Sequence, residues 1–272
     1  MPETSKKQHN IDAVVIGGVG FNPDDYDFVT IKVNTPYGNV KVKTGNVPHR
    51  TRILKLALIQ RHANDDTSSG AEHLPPHKLN YRASVWAVRS LGANRVIATN
   101  SVGTMGSHPA GSFLVADDFI DLTRSRVNTF YDDRTVHVDM TEPYCPEISA
   151  CLLSSLENNH MEPFRGVYVC TEGPRFETAA EIRMLGTFGD VVGMTGLPEV
   201  VLARELGLCY ASLCIITNQA CGLAGNKLTV DEVLEMLEIK QETLRTILLD
   251  AIISLPAHSN CGCKDAIKGA II

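Results

Sequence analysis

Five stretches of this 272-residue chain end an apolar run in residues suited to binding an anion or polarising a bond: Gly17-Gly18, Arg61-His62, Asn100-Ser101, Met194-Thr195 and Asn218. Free backbone N–H groups and helix N-termini gather at strand ends in α/β sheets, so five polar ends predict one shared pocket. Gly17-Gly18-Val19-Gly20 invites a dinucleotide reading, but that motif needs a helix directly after its glycines. Here Phe21-Asn22-Pro23-Asp24-Asp25 follows, and no third glycine stands at the required spacing. A glycine-rich strand end that lets backbone N–H groups approach one small anion fits better. His62, His73 and His77 match no helical metal-ligand pair, because Pro75-Pro76 breaks the chain between them. The polar run from Ala63 to Ala71 is instead expected to be a mobile loop over the pocket.

These residues need a scaffold, and the chain supplies alternating strands and helices. Strands are predicted over Asp12–Ile16, Leu54–Ile59, Arg95–Thr99, Gly166–Cys170, Asp190–Gly193 and Tyr210–Ile216, with a hairpin of 30–33 and 40–43 around Tyr37-Gly38-Asn39. Helices are predicted over Lys78–Leu91, closed by Gly92, over Glu177–Leu185, and from Pro198 to Gly207. The last helix opens with the capping box Thr229-Val-Asp-Glu232. Its apolar stripe is Val233, Leu234, Leu237, Leu244, Ile247, Leu248 and Ile252. No Pro- or Gly-rich linker interrupts the series. The fold class is therefore α/β: a single domain, residues 1–272, with a mixed central sheet flanked by helices. Residues 1–10 are expected to be flexible, and 257–272 to form a C-terminal tail.

Composition limits the partners. There are 25 Lys and Arg against 31 Asp and Glu, a net charge of −6, which argues against nucleic acid, where affinity rests on cations meeting phosphates. No run of about 18 apolar residues could span a bilayer, and the polar start lacks a signal-peptide core. Cytoplasmic placement is expected. In a reducing compartment eight cysteines are not a disulfide framework. Cys145, Cys151, Cys170, Cys209, Cys214 and Cys221 sit among apolar residues and read as buried thiols. Cys261-Gly262-Cys263 looks exposed, and its spacing fits neither a zinc knuckle nor a thioredoxin motif; a solvated tail, a strained bridge and a redox handle all stay open.

Several motifs, in order, carry a resemblance. Pro75-Pro76-His77-Lys78-Leu79-Asn80-Tyr81-Arg82-Ala83, Thr171-Glu172-Gly173-Pro174-Arg175-Phe176 and Gly193-Met194-Thr195-Gly196-Leu197-Pro198-Glu199 resemble the trimeric purine nucleoside phosphorylases. The methylthioadenosine phosphorylase branch is the most similar, and Val136 to Pro143 and Cys209 to Ser212 also match it. The resemblance implies attack of inorganic phosphate on C1′ of a purine nucleoside, without metal or organic cofactor. It also implies a homotrimer or dimer of trimers. Carried over by position, phosphate would meet the Gly18 and Val19 backbone, Arg61, His62, the Ser101 backbone and the Thr195 hydroxyl. Arg61 offers a permanent cationic fork. The family usually has Thr or Ser where Val19 stands, so one hydroxyl contact is missing. Met194 would pack under the ribose, Phe176 would line the base site, and His137 of a neighbouring subunit would cover the 5′ substituent.

Two positions depart from the methylthioadenosine branch together. That branch has an Asp-x-Asp pair where this chain reads Asn218-Gln219-Ala220, and a small Ser or Thr where it has Glu177. At both, the chain resembles phosphorylases of 6-oxopurines. The chemistry agrees: the carboxylate of Glu177 can accept from a 6-oxopurine N1–H, while the Asn218 amide can donate to O6 and accept a proton gained by N7. Hypoxanthine or guanine nucleosides, 5′-methylthioinosine among them, are the expected substrates. The alternative is a methylthioadenosine phosphorylase acting on the 6-aminopurine. A nucleoside hydrolase and a non-catalytic nucleotide-binding module are the readings from other classes, and phosphate-dependent turnover separates them.

Overall fold

A computed structural model describes residues 11–17, 26–63, 73–225 and 227–272. The expected flexible start, Gly18, Val19 and nearly all of the loop expected over the pocket lie outside the described residues. Among the described residues nine strands form one sheet: β1 (Ala13–Gly17), β2 (Val29–Thr35), β3 (Gly38–His49), β4 (Arg52–Gln60), β5 (Arg95–Thr104), β6 (Phe113–Leu122), β7 (Phe164–Thr171), β8 (Val191–Gly193) and β9 (Cys209–Gln219). Their order is β2-β3-β4-β1-β5-β8-β7-β6-β9, and β9 also pairs with β5. The sheet thus closes on itself through five of its strands, a feature that local sequence pattern does not carry.

The apolar runs follow from burial on both faces. Along β1, Val14 and Ile16 pack towards α1 (Tyr81–Ser90) and α4 (Glu199–Glu205). Ala13 and Val15 pack towards α2 (Pro146–Asn158) and α5 (Val230–Ile253). A smaller cluster of Met105, Val169, Ile182 and Val192 seats α3 (Ala179–Leu185). The mixed α/β sheet expected from the sequence is what the chain forms. Two elements were not anticipated. In β6 the apolar run stops at Asp117-Asp118, which masks its strand character. In α2 the spacing Ile148, Leu152, Leu156 behind Pro146 is a helical signal.

Boundaries moved where caps act. Asn80 caps α1 by accepting from the Ala83 N–H, so the helix begins at Tyr81, and Pro76–Lys78 forms a separate 3-10 turn. Thr178 and Glu181 form a capping box for α3, which leaves Glu177 just outside that helix. Pro198 caps α4 rather than opening it. The final helix divides in two: Leu244, Ile247, Leu248 and Ile252 are buried, but Leu234 is 56% exposed and Val230 59%. The predicted stripe is therefore buried at Leu237 and from Leu244 onward, while Leu234 near its start is exposed. Among the described residues no helix is long and apolar enough to cross a membrane.

Register brings the polar strand ends together. Strand β1 runs parallel to both β4 and β5, and β5 runs parallel to β9. Gly17 therefore sits opposite Gln60, and Gly103 opposite Asn218. The carboxyl ends of four strands open on one edge, the usual place for a ligand in such sheets.

Candidate active site

A cavity of about 440 Å³ lies at this edge, within the range of small-molecule sites. Its lining joins Arg61, His62, Ser101, Thr195, Met194, Phe176, Glu177, Asn218 and Ala220. Nine positions drawn from separate parts of the sequence thus share one space. His137 does not line the cavity of its own chain; it is exposed, and its N–H donates to the Ala270 carbonyl at 2.8 Å.

One wall follows β4 and β5. Arg61 is buried, and its fork is directed differently from the sequence expectation. Nε and Nη2 donate to Glu199 Oε2 and Oε1, each at 2.9 Å, while Nη1 donates to the Thr99 carbonyl and Nη2 to that of Ile16. Of the five N–H donors of a guanidinium, a single Nη1–H remains for an anion. Burial works against the charge, but the Glu199 carboxylate outweighs it and holds the Arg61 pKa above its ordinary value. Tyr210 adds a hydroxyl to Glu199 Oε1 at 2.8 Å. The pair is internally neutral, so an anion here is held by aimed dipoles more than by free charge.

His62 Nδ1 lies 2.8 Å from the Leu74 carbonyl, a contact that requires Nδ1–H and leaves Nε2 as an acceptor. Its ring stacks on His73 with centroids 4.4 Å apart. Burial, Arg61 and His73 lower its pKa to about 4 against the raising pull of Leu74, so the ring is neutral at pH 7. The Thr195 hydroxyl donates to Asn100 Oδ1 at 2.9 Å, and Asn100 Nδ2 donates to Ser212 Oγ at 2.8 Å.

The opposite wall carries Glu177 and Asn218. Thr171 donates its hydroxyl to Glu177 Oε1 at 2.6 Å, which orients the carboxylate and leaves Oε2 available. Asn218 Oδ1 accepts from the Thr217 hydroxyl at 2.7 Å, and Nδ2 donates to the Gln219 carbonyl at 2.8 Å. That fixes which way the amide faces and leaves one lone pair and one proton unused. A Cβ on Gly103 would come within 3.1 Å of Asn218 Nδ2, so glycine there makes room for the amide. Gly173, at φ +64°, does the same for Met194: a Cβ would lie 2.6 Å from its sulfur.

The third wall is apolar. Leu228, just before α5, and Val230, Val233, Leu234 and Leu237 from its start line it. Val233, Leu234 and Leu237 belong to the apolar stripe predicted from sequence, and such a stripe does not tell a packed face from a ligand-facing one. Sequence reasoning missed Glu199, Thr99, His73 and Tyr168. Tyr168 Oη accepts the N–H groups of Thr195 and Gly196, both at 3.2 Å, and shapes the loop that carries Met194 and Thr195. The acidic Glu199 directly after Leu197-Pro198 was a usable signal for a partner to Arg61.

The cysteines divide differently from expectation. Cys170 and Cys214 are core thiols, while Cys151 and Cys221 are half-buried. The Cys-Gly-Cys tail is not exposed: Cys263 is buried and Cys261 half-buried beside Cys145 and Cys209.

Comparison with known proteins agrees with this geometry. Residues 12–254 match the family described as the phosphorylase superfamily. The chain is 55% identical to the probable S-methyl-5′-thioinosine phosphorylase of Methanosarcina acetivorans, over 95% of this chain and 96% of the relative. It is 46% identical to the 6-oxopurine nucleoside phosphorylase of Pyrococcus furiosus, over 94% and 97%. In three dimensions it superposes on an adenosine/methylthioadenosine phosphorylase variant of Schistosoma mansoni in complex with methylthioadenosine. The TM-score is 0.83, with 31% identity and 96% of each chain covered. With a matching family spanning nearly the whole chain and its strand-end cavity intact, this protein belongs to the phosphorylase superfamily.

Proposed function

We propose that this chain phosphorolyses 6-oxopurine nucleosides, with 5′-methylthioinosine its best substrate and inosine and guanosine weaker ones. One observation carries the reading: the Glu177 carboxylate and the Asn218 amide face the same cavity, each with hydrogen-bonding capacity in reserve. A 6-oxopurine offers an N1–H to Glu177 Oε2 and an O6 to Asn218 Nδ2. Adenine presents a lone pair at N1 and an amino group at C6, so both contacts would oppose like against like. Sites built on such bonds discriminate by about 10⁴–10⁵ when partners are left unpaired. Curated relatives named for thioinosine and 6-oxopurine support the same choice.

In the reaction a phosphate oxygen bonds to C1′ as the C1′–N9 bond breaks. The electron pair passes into the purine, and N7 gains charge or a proton. Asn218 Oδ1 accepts that N7–H, and Glu177 holds the base in line. Phosphate is held by Arg61 Nη1–H, the Ser101 backbone and His62, and the Thr195 hydroxyl, whose own proton goes to Asn100, can accept from a protonated phosphate oxygen. The Gly18 and Val19 contacts that the resemblance implies lie outside the described residues. A dihydrogen phosphate hydroxyl can donate to neutral His62 Nε2. No metal or organic cofactor takes part; positioning and aimed hydrogen bonds lower the barrier.

The 5′ preference rests on the apolar α5 wall, which suits a methylthio group better than a hydroxyl. His137 would close that end from a neighbouring subunit of a homotrimer, consistent with its exposure on its own chain. Incubation of methylthioinosine with and without phosphate tests the activity. Release of hypoxanthine with one equivalent of methylthioribose 1-phosphate, only when phosphate is present, is expected. Release of free methylthioribose without phosphate would instead make the protein a hydrolase.

A further inference from the structure

Four cysteines outside the cavity converge from three segments of chain. Cys145 precedes Pro146 at the N-terminus of α2, Cys209 opens β9, and Cys261 and Cys263 flank Gly262 in the C-terminal tail. Their Sγ atoms all lie within 4.8 Å of one another, with Cys209 and Cys261 at 3.4 Å and Cys145 and Cys261 at 3.7 Å. A cystine needs sulfurs about 2.05 Å apart. A tetrahedral zinc–thiolate centre with bonds of about 2.3 Å places its sulfurs about 3.8 Å apart. The observed spacing matches the second.

We propose that Cys145, Cys209, Cys261 and Cys263 form a tetrathiolate site for a structural zinc ion. Three of the four are buried and the fourth is half-buried, so the set is closed and suits a structural metal rather than a catalytic one. Binding converts four thiols and one Zn²⁺ into a zinc tetrathiolate of charge −2 and releases four protons, with no change in oxidation state. Ser259 Oγ lies 3.0 Å from Cys261 Sγ and 3.5 Å from Cys209 Sγ, placed to donate to the sulfurs that would carry this charge. Cys145 stands at the positive end of a 13-residue helix, and its side chain makes no capping bond there.

The ion would staple the tail to the sheet far from the chemistry. Cys209 and Asn218 stand at opposite ends of β9, roughly 30 Å apart at a strand's rise per residue. Beyond the cysteines, the tail pairs Ile271 with Val136 and accepts the His137 N–H at Ala270. The clamp therefore also fixes the segment that presents His137.

Metal analysis of protein purified without chelator tests this independently of activity. One zinc per chain is expected, falling below about a tenth in Cys209→Ser and Cys261→Ser and unchanged in Cys151→Ser. If the serine variants fail to fold, wild-type protein loaded with cobalt(II) decides. It should show thiolate-to-cobalt charge-transfer bands and the visible bands of a tetrahedral site. Zinc-free folded protein whose non-reduced mass is lower by two or four hydrogens, or folded protein with eight reactive thiols after zinc addition, would overturn the proposal.

Discussion

At the residue scale, the proposed function gives the choice of purine to two side chains, Glu177 and Asn218. Glu177→Gln keeps the shape but removes the charge from the acceptor of N1–H. A hydrogen bond to a charged group is worth about 1.5–3 kcal/mol, so kcat/KM for inosine should fall about 10- to 100-fold in steady-state assays. Asn218→Asp with Ala220→Asp installs the aminopurine-type pair, and the ratio of methylthioadenosine to methylthioinosine turnover should rise. Both residues were legible from sequence because they differ in type from the branch that the rest of the chain resembles. The direction of the Arg61 fork was not. Its partner Glu199 is 138 positions away at the start of α4, and only the packing of that helix on the sheet brings the two together. His62 gives a pH signature. Its pKa is depressed from 6.5 to about 4, so between those values the unfolded chain takes up a proton that the folded chain refuses. Stability should decline as pH falls through that window and be insensitive to this group above it. His62→Gln should narrow the difference between urea midpoints at pH 7 and pH 5.

At the scale of elements, the loop after β8 depends on a side chain from its neighbour β7. Burial raises the Tyr168 pKa well above its ordinary value, so the phenol stays neutral while it accepts the Thr195 and Gly196 N–H groups. Tyr168→Phe strands both donors in a buried setting. A loss of about 1–3 kcal/mol is expected in chemical denaturation, with kcat/KM falling as Met194 and Thr195 lose their fixed position. Sequence pattern found most strands and helices here because both sheet faces are covered, which leaves long apolar runs. It failed where an element carries a mixed message. Strand β6 changes from core to solvent midway, at Asp117, and the first turns of α5 turn their apolar side chains to the cavity.

At the scale of the molecule, one edge of the sheet does the work. Parallel pairing of β1, β4, β5 and β9 sets their carboxyl ends side by side, and the closure of β9 onto β5 places Asn218 against Gly103. That closure comes from contacts between segments more than a hundred residues apart, which is why periodicity predicted a mixed sheet without its ring. The −6 charge, which argued against polymeric nucleic acid, is compatible with one phosphate bound by aimed donors. The proposed function has an oxo-purine read by a carboxylate and an amide beside an apolar 5′ wall. Its most direct test is kcat/KM for methylthioinosine and for methylthioadenosine at saturating phosphate in the same preparation. A preference for methylthioinosine of at least about 10²-fold, and up to about 10⁴–10⁵, is expected. Equal turnover, or a preference for methylthioadenosine, would contradict it.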